Sequence, residues 1–157
     1  MLSFKEFLDN HKDPWYVCVD PDEHTKRTLA LHTVDAGVPN AYSPMKMHCT
    51  LIYSMKPTDP PRVNPGMVYQ ARFENWHVFD PRDGKNVLVA KLTSPKLEAR
   101  HQELMKDMGA SYDFDKYLPH VTVSNDIGKF DITKLKPITT PMFFSNEKSS
   151  VLNQGYE

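Results

Sequence analysis

Two cysteines, Cys18 and Cys49, are all that the 157 residues contain. That is too few for a disulfide framework and fits a reducing compartment, so a cytoplasmic location is expected. No apolar run approaches the ~18 residues that a spanning helix needs, which argues against a membrane partner. Met1-Leu2-Ser3-Phe4-Lys5-Glu6 lacks a basic stretch followed by an apolar one, so no secretory signal is expected. Neither sign of charge is in excess: nineteen Lys and Arg face twenty Asp and Glu, a formal net charge of -1. A protein that tracks long nucleic acid usually carries a basic surplus, so long nucleic acid is not an expected partner. A small anionic ligand needs only a local cluster of donors. Internal repeats, low-complexity tracts and long charge runs are lacking as well. With 39% hydrophobic and 25% charged residues, what remains is an ordinary globular chain of one domain, 1–157, expected to be a monomer or weak homo-oligomer.

Local signals place the elements. Ser3-Phe4-Lys5-Glu6 is a capping box that opens a short helix ending near His11. Trp15-Tyr16-Val17-Cys18-Val19 reads as a strand. Asp20 as N-cap and Pro21 as first helical residue then start a helix that runs to about Ala36 and stops at Gly37. Met47–Tyr53 is a second strand. Four prolines between Pro57 and Pro65 make that stretch a stiff loop. Val68–Phe79 and Asn86–Leu92 flank a turn-rich segment as a hairpin. Ser94-Pro95 opens a helix with Leu97, Leu104, Met105 and Met108 at helical spacing, closed by Gly109. Leu118–Ser124 and a stretch near Pro141–Glu147 are further strands, followed by a polar tail. Strands alternating with two long helices in two similar halves, about 12–66 and 67–147, predict an α+β fold.

Chemistry concentrates in two tetrads, His48-Cys49-Thr50-Leu51 and His120-Val121-Thr122-Val123. Seven His, nineteen Ser plus Thr and 39% hydrophobic residues yield about 0.3 His-x-[Ser/Thr]-apolar tetrads by chance, so two are more than expected. Both fall on predicted strands, where alternation puts His and Thr on one face and the apolar residues on the other. Two imidazoles and two hydroxyls suit phosphoester chemistry. One neutral His takes a proton from a nucleophile, the other gives one to the leaving oxygen, and the hydroxyls donate to phosphoryl oxygens. No metal or other cofactor is required. His48 and Cys49 point to opposite faces and cannot share an ion, and neither Cys-x-x-Cys nor His-Glu-x-x-His spacing occurs. Cys18 and Cys49 read as buried, inert thiols. His11, His24, His32, His77 and His101 read as surface or helix-face residues.

The tandem His-x-Thr-apolar motifs resemble those of the 2H phosphoesterase superfamily, and the resemblance covers most of the chain. It implies a bilobal fold with two antiparallel sheets facing a central cleft and helices outside. It also implies His48 and His120 as acid and base, with Thr50 and Thr122 as phosphate donors. Within that superfamily the segments PMKMHCTLIY, YLPHVTVSND and FSNEKSSVLN are similar to the phage anti-CBASS nucleases. These are metal-independent enzymes that cut 3′–5′ bonds of the cyclic oligonucleotides used in bacterial antiphage signalling. The resemblance therefore implies a cyclic dinucleotide, such as 3′,3′-cGAMP, or a cyclic trinucleotide as ligand.

Such a compact ligand needs flat faces to stack on. Tyr16 is the first stacking candidate, against an ordinary core or edge tyrosine; Trp76 and Tyr156 are weaker, against packing or a frayed end. Glu147 is expected either to accept a hydrogen bond from an adenine amino group at the rim or to be a solvated strand-end carboxylate. The segment 145–157 is a candidate lid. Two other roles stay open: a 2H enzyme acting on RNA ends or 2′,3′-cyclic phosphates, and a non-catalytic nucleotide sponge.

Overall fold

A computed structural model describes residues 12–79, 83–110 and 116–152. The helix expected over Ser3–His11 and the candidate Tyr156 lie outside the described residues. The chain runs β1 (Trp15–Pro21), α1 (Glu23–Ala36), β2 (Cys49–Tyr53), β3 (Tyr69–Phe79), β4 (Val87–Thr93), α2 (Pro95–Met108), β5 (His120–Ser124) and β6 (Met142–Val151).

Both helices are capped by the residues that bound them. The Asp22 carboxylate accepts the Thr25 amide at 2.8 Å and Gly37, at φ 75°, closes α1 in the left-handed conformation. The start is two residues later than expected. Pro21 ends β1 opposite Phe144, a strand-end position that its missing N–H tolerates, and Asp22 takes over as cap. In α2 the Ser94 hydroxyl accepts from the Leu97 amide at 3.1 Å, Pro95 follows it, and Gly109 ends the helix.

All six strands pair antiparallel in one closed ring, β1-β2-β5-β4-β3-β6. The expectation of two separate sheets is thereby corrected: β2 meets β5 at one seam and β3 meets β6 at the other, so neither half keeps a free edge. The ring order is unchanged when β1 is exchanged with β4, β2 with β5 and β3 with β6. Each unit is a strand, a helix and a motif strand beside the first, then a strand that closes against the other unit. A second correction concerns the chain end. β6 continues past Glu147 to Val151 and pairs with β1 down to Trp15↔Val151, so residues 145–151 are sheet and not lid.

Alternation divides the ring into two faces. Val17, Val19, Cys49, Leu51, Ala90, Leu92, Val121 and Val123 join Leu29, Leu97, Leu104 and Met108 in a single core under the helices. Each fully buried aliphatic side chain contributes roughly 1.5–3 kcal/mol. α1 lies on β1, β5 and β6, and α2 on β2 and β3. The alternate residues, Tyr16, Cys18, His48, Thr50, Lys91, His120 and Thr122, face the other way.

Among the described residues one carboxylate sits deep in the structure. Glu147 is only 1% exposed, and it ties β6 to α2 and to the loop before β3. Arg100 donates to both carboxylate oxygens, at 2.9 Å through Nε and 2.8 Å through Nη2. The Tyr69 hydroxyl and the Asn64 amide add bonds of 2.8 and 2.7 Å. Burial alone would raise this carboxyl; the Arg100, Asn64 and Tyr69 donors outweigh it and hold it below the usual carboxylate range. Glu147 is thus neither a rim acceptor nor a solvated carboxylate.

Removing one partner of such a pair leaves a buried charge uncompensated. Arg100→Met is expected to cost about 3 kcal/mol and to lower the melting temperature by about 6–12 °C, read by circular dichroism at pH 7. A carboxyl depressed in the folded state stabilises above its unfolded value, so this contribution should fade as pH falls from about 4.3 through the lower folded value. A variant that melts with the parent at pH 7 would remove Glu147–Arg100 from the stabilising set.

Candidate active site

The site starts at the seam between the motif strands, where Cys49 pairs with Val121. Both are fully buried and belong to the core. Continuing the register one residue each way sets His48 opposite Thr122 and Thr50 opposite His120. Residues directly opposite on antiparallel strands have Cβ atoms about 4.5–5.5 Å apart. Each motif's imidazole therefore lies beside the other motif's hydroxyl, on the face away from the core.

Both strands then break step. Val17 pairs with Ile52 but Cys18 with Thr50, which skips Leu51. Leu88 pairs with Ser124 but Val89 with Thr122, which skips Val123. The two bulges follow the two threonines at equivalent places and end the polar alternation there, since Leu51-Ile52 and Val123-Ser124 are consecutive buried pairs. The carbonyls freed nearby are satisfied by other elements. Tyr117 donates its hydroxyl to the Thr50 carbonyl at 2.8 Å, His101 Nδ1 lies 2.7 Å from the Leu51 carbonyl, and the Tyr42 amide reaches the Val123 carbonyl at 2.8 Å.

The histidines are held alike. His48 Nδ1 lies 3.1 Å from the Lys46 carbonyl and His120 Nδ1 2.7 Å from the Leu118 carbonyl, each two residues back. A carbonyl only accepts, so in each ring Nδ1 carries the proton and Nε2 is left for chemistry. Their neighbours differ. The Tyr16 ring meets His48 edge-on at 6.1 Å and its hydroxyl bonds Thr50 Oγ1 at 2.9 Å. Phe79 meets His120 edge-on at 5.1 Å, and His77 meets Phe79 at 5.2 Å. The His120 imidazolium is disfavoured first by burial and then by the charges of His48 and His77. The Leu118 carbonyl opposes this, and the net shift is below the ordinary value.

Of the residues singled out from sequence, His48, Thr50, His120, Thr122 and Tyr16 share this face. Trp76 does not. It pairs with Ala90 on the core-facing side of the sheet, packs on Phe73 at 5.0 Å, and bonds the Lys136 carbonyl at 2.9 Å. Trp76 and Glu147 hold equivalent positions of the two units, each one residue before the site-facing residue of its strand, His77 or Lys148. Alternation turns both away for the same reason. His77, Phe79 and Lys91 are site-facing residues that sequence reasoning missed; the alternation of Asn75, His77 and Phe79 on β3 and of Val89 and Lys91 on β4 carried the signal. His101 was expected on the surface but is 3% exposed and stacked on Tyr117 at 4.2 Å. Cys18 and Cys49 are buried, and burial pushes their thiols up to about 11 and about 12, which leaves them protonated.

Comparison with known proteins agrees with this architecture. A solved structure from Thermus thermophilus, TT0787, superposes with a TM-score of 0.53 at 16% identity, covering 87% of this chain and 83% of that one; the likeness is one of fold. Several curated relatives carry the name anti-CBASS protein Acb1, and three of them illustrate the match. The protein of Vibrio phage KVP40 is 34% identical over 93% of this chain and 87% of its own length. That of Escherichia phage RB16 is 36% identical over 80% and 70%, and that of Enterobacteria phage T4 33% over 82% and 80%. The family model described as anti-CBASS protein Acb1 matches residues 13–157, and the chain belongs to that family.

Proposed function

We propose that the protein is a phosphodiesterase that hydrolyses 3′–5′ bonds of cyclic oligonucleotides in the host cytoplasm and so blocks CBASS signalling. The observation that carries this reading is the cross-strand exchange at the Cys49↔Val121 seam, which sets an imidazole beside a hydroxyl twice over. Family membership supplies the anti-CBASS setting. A pair of neighbouring imidazoles with free Nε2 atoms offers a base and an acid on one face, and the threonines offer donors for phosphoryl oxygens. The reaction needs no metal. Substrates are cyclic dinucleotides such as 3′,3′-cGAMP, and cyclic trinucleotides.

His120, whose charged form is disfavoured by burial, takes the base role in the first step. Its Nε2 accepts the proton of the ribose 2′-hydroxyl as that oxygen attacks phosphorus. His48 Nε2 protonates the departing 5′ oxygen. The product is a 2′,3′-cyclic phosphate, which water opens with the two roles exchanged. Thr50 and Thr122 hold the non-bridging oxygens as charge grows on them. Tyr16 is 7% exposed, so its part is to hold Thr50 through its hydroxyl and to pack edge-on against His48 more than to offer an open face to a base.

Incubation with a panel of cyclic dinucleotides and trinucleotides, read by mass spectrometry, tests the reading. Cleavage should persist in EDTA and stop when the 2′-hydroxyl is replaced by hydrogen. His48→Ala and His120→Ala should each lower kcat by two to four orders of magnitude, roughly the worth of a positioned acid or base. Intact ligand recovered after denaturation, or a requirement for added Mg²⁺, would overturn it.

The pH profile follows from the state of His120. A base must be unprotonated, so kcat/KM falls as pH drops through its value, and burial places that value below the ordinary ~6.5. The base is therefore more than half deprotonated at pH 6.5, and the midpoint of the acidic limb is expected below that pH. An acidic limb centred above 6.5 would reassign the base.

A further inference from the structure

Equivalent positions in the two units carry different charge. On the site-facing side, Thr50, Cys18 and Lys148 form one row across β2, β1 and β6. Thr122, Val89 and His77 form the matching row across β5, β4 and β3. Two residues further along β1 stands Asp20, and two further along β4 stands Lys91. On the His48 side the corner is neutralised where β1 meets β6. Lys148 Nζ lies 3.0 Å from both Asp20 oxygens, and Asn146 Nδ2 lies 2.9 Å from Oδ2. In the second unit Lys91 replaces the carboxylate. Among the described residues no carboxylate pairs with Lys91 or His77, and no side-chain hydrogen bond holds either.

We infer that Lys91 and His77 form a subsite for a second phosphodiester of the ligand, the one that is not being cut. The inference rests on the cyclic-oligonucleotide reading above and deepens it. Lys91 is the β4 partner of His120, half-buried, so its stem is fixed beside the reacting centre. His77 is exposed and stands two ring steps from His120, through Phe79, at 5.1 and 5.2 Å. Asn75, opposite Lys91 on β3, adds an exposed amide beside them. A cation without a counterion on a ligand-facing surface attracts an anion from the solution. An imidazole offers at least one N–H donor in either protonation state, so the contact does not require it to be charged. A chain with a formal charge of -1 thus gathers positive potential where a second phosphate falls, one nucleotide from the scissile one.

Steady-state kinetics on a cyclic dinucleotide test it, with the parent protein measured first. Lys91→Met and His77→Phe keep the apolar bulk of each side chain and remove its donors. Each is expected to raise KM about tenfold, the low end for a hydrogen bond to a charged group, and to leave kcat within about twofold. The dependence of KM on salt should be weaker in Lys91→Met, since one charge–charge contact with the ligand is gone and screening has less to act on. His77→Gln, which retains an N–H donor, should recover most of the loss. KM within twofold of the parent in both variants overturns the subsite. So does a fall in kcat at unchanged KM, which would put these groups on the scissile phosphate. If the parent turns over no cyclic oligonucleotide, the proposed function fails and the subsite with it; a turning-over parent with unaffected variants rejects the subsite alone.

Discussion

The arrangement of the site depends on one register, Cys49 opposite Val121 at the seam of the two motif strands. Strand side chains alternate with a period of two, so a slip by a single residue would bury the imidazoles and expose the core. The apolar residues between and after the motif positions prevent this. Cys49, Leu51, Val121 and Val123 are fully buried under the helices, and they hold His48, Thr50, His120 and Thr122 outward. Hydrophobic burial thereby aims the polar groups, although none of the buried side chains touches a ligand. The ring closure at β3 and β6 adds to this by leaving neither unit free to move as a separate sheet.

The motif strands are short, and their ladder ends soon after the seam. Beyond it the backbone is held by side chains from elsewhere. Tyr117 and His101, stacked together, reach the Thr50 and Leu51 carbonyls from the second unit, while the Tyr42 amide takes the Val123 carbonyl from the first. Each unit thus braces the motif strand of the other. This gives the buried His101 a structural place: it satisfies a carbonyl that the bulge leaves without a ladder partner.

Much of this was legible in the residues. The two tetrads, the period-two alternation around them and the Asp/Ser to Gly bounds of the helices are local patterns, and local patterns survive into the fold. Trp76 and Glu147 were not placed correctly because their orientation depends on bulges. The β3–β4 register shifts between Phe73 and Asn75, and the β1–β6 register shifts between Cys18 and Asp20, beside Asn146 at φ 56°. A bulge reverses the parity of everything beyond it, and no composition signal marks it in a strand of mixed polarity. Glu147 also looked like a strand-end residue because its partner, Arg100, lies 47 residues away in sequence. Likewise, two sheets and one ring have the same strand list; they differ in whether β2 finds β5 and β3 finds β6.

The near-symmetry raises a problem that the surroundings solve. Two like motifs related by exchange of units would give two equivalent histidines, whereas the proposed reaction needs an acid and a base that differ. The difference cannot come from the motifs, since both rings are pinned through Nδ1 to the carbonyl two residues back. It comes from what each unit adds. His48 has Tyr16, whose hydroxyl is engaged with Thr50, and beyond it the neutralised Asp20–Lys148 corner. His120 has Phe79 on its edge, burial around it and a second imidazole, His77, behind. Burial first, and after it the charges of His48 and His77, disfavour a proton on His120. In the proposed reaction, the repeated fold would supply the two groups, and departures from the repeat would assign them their roles.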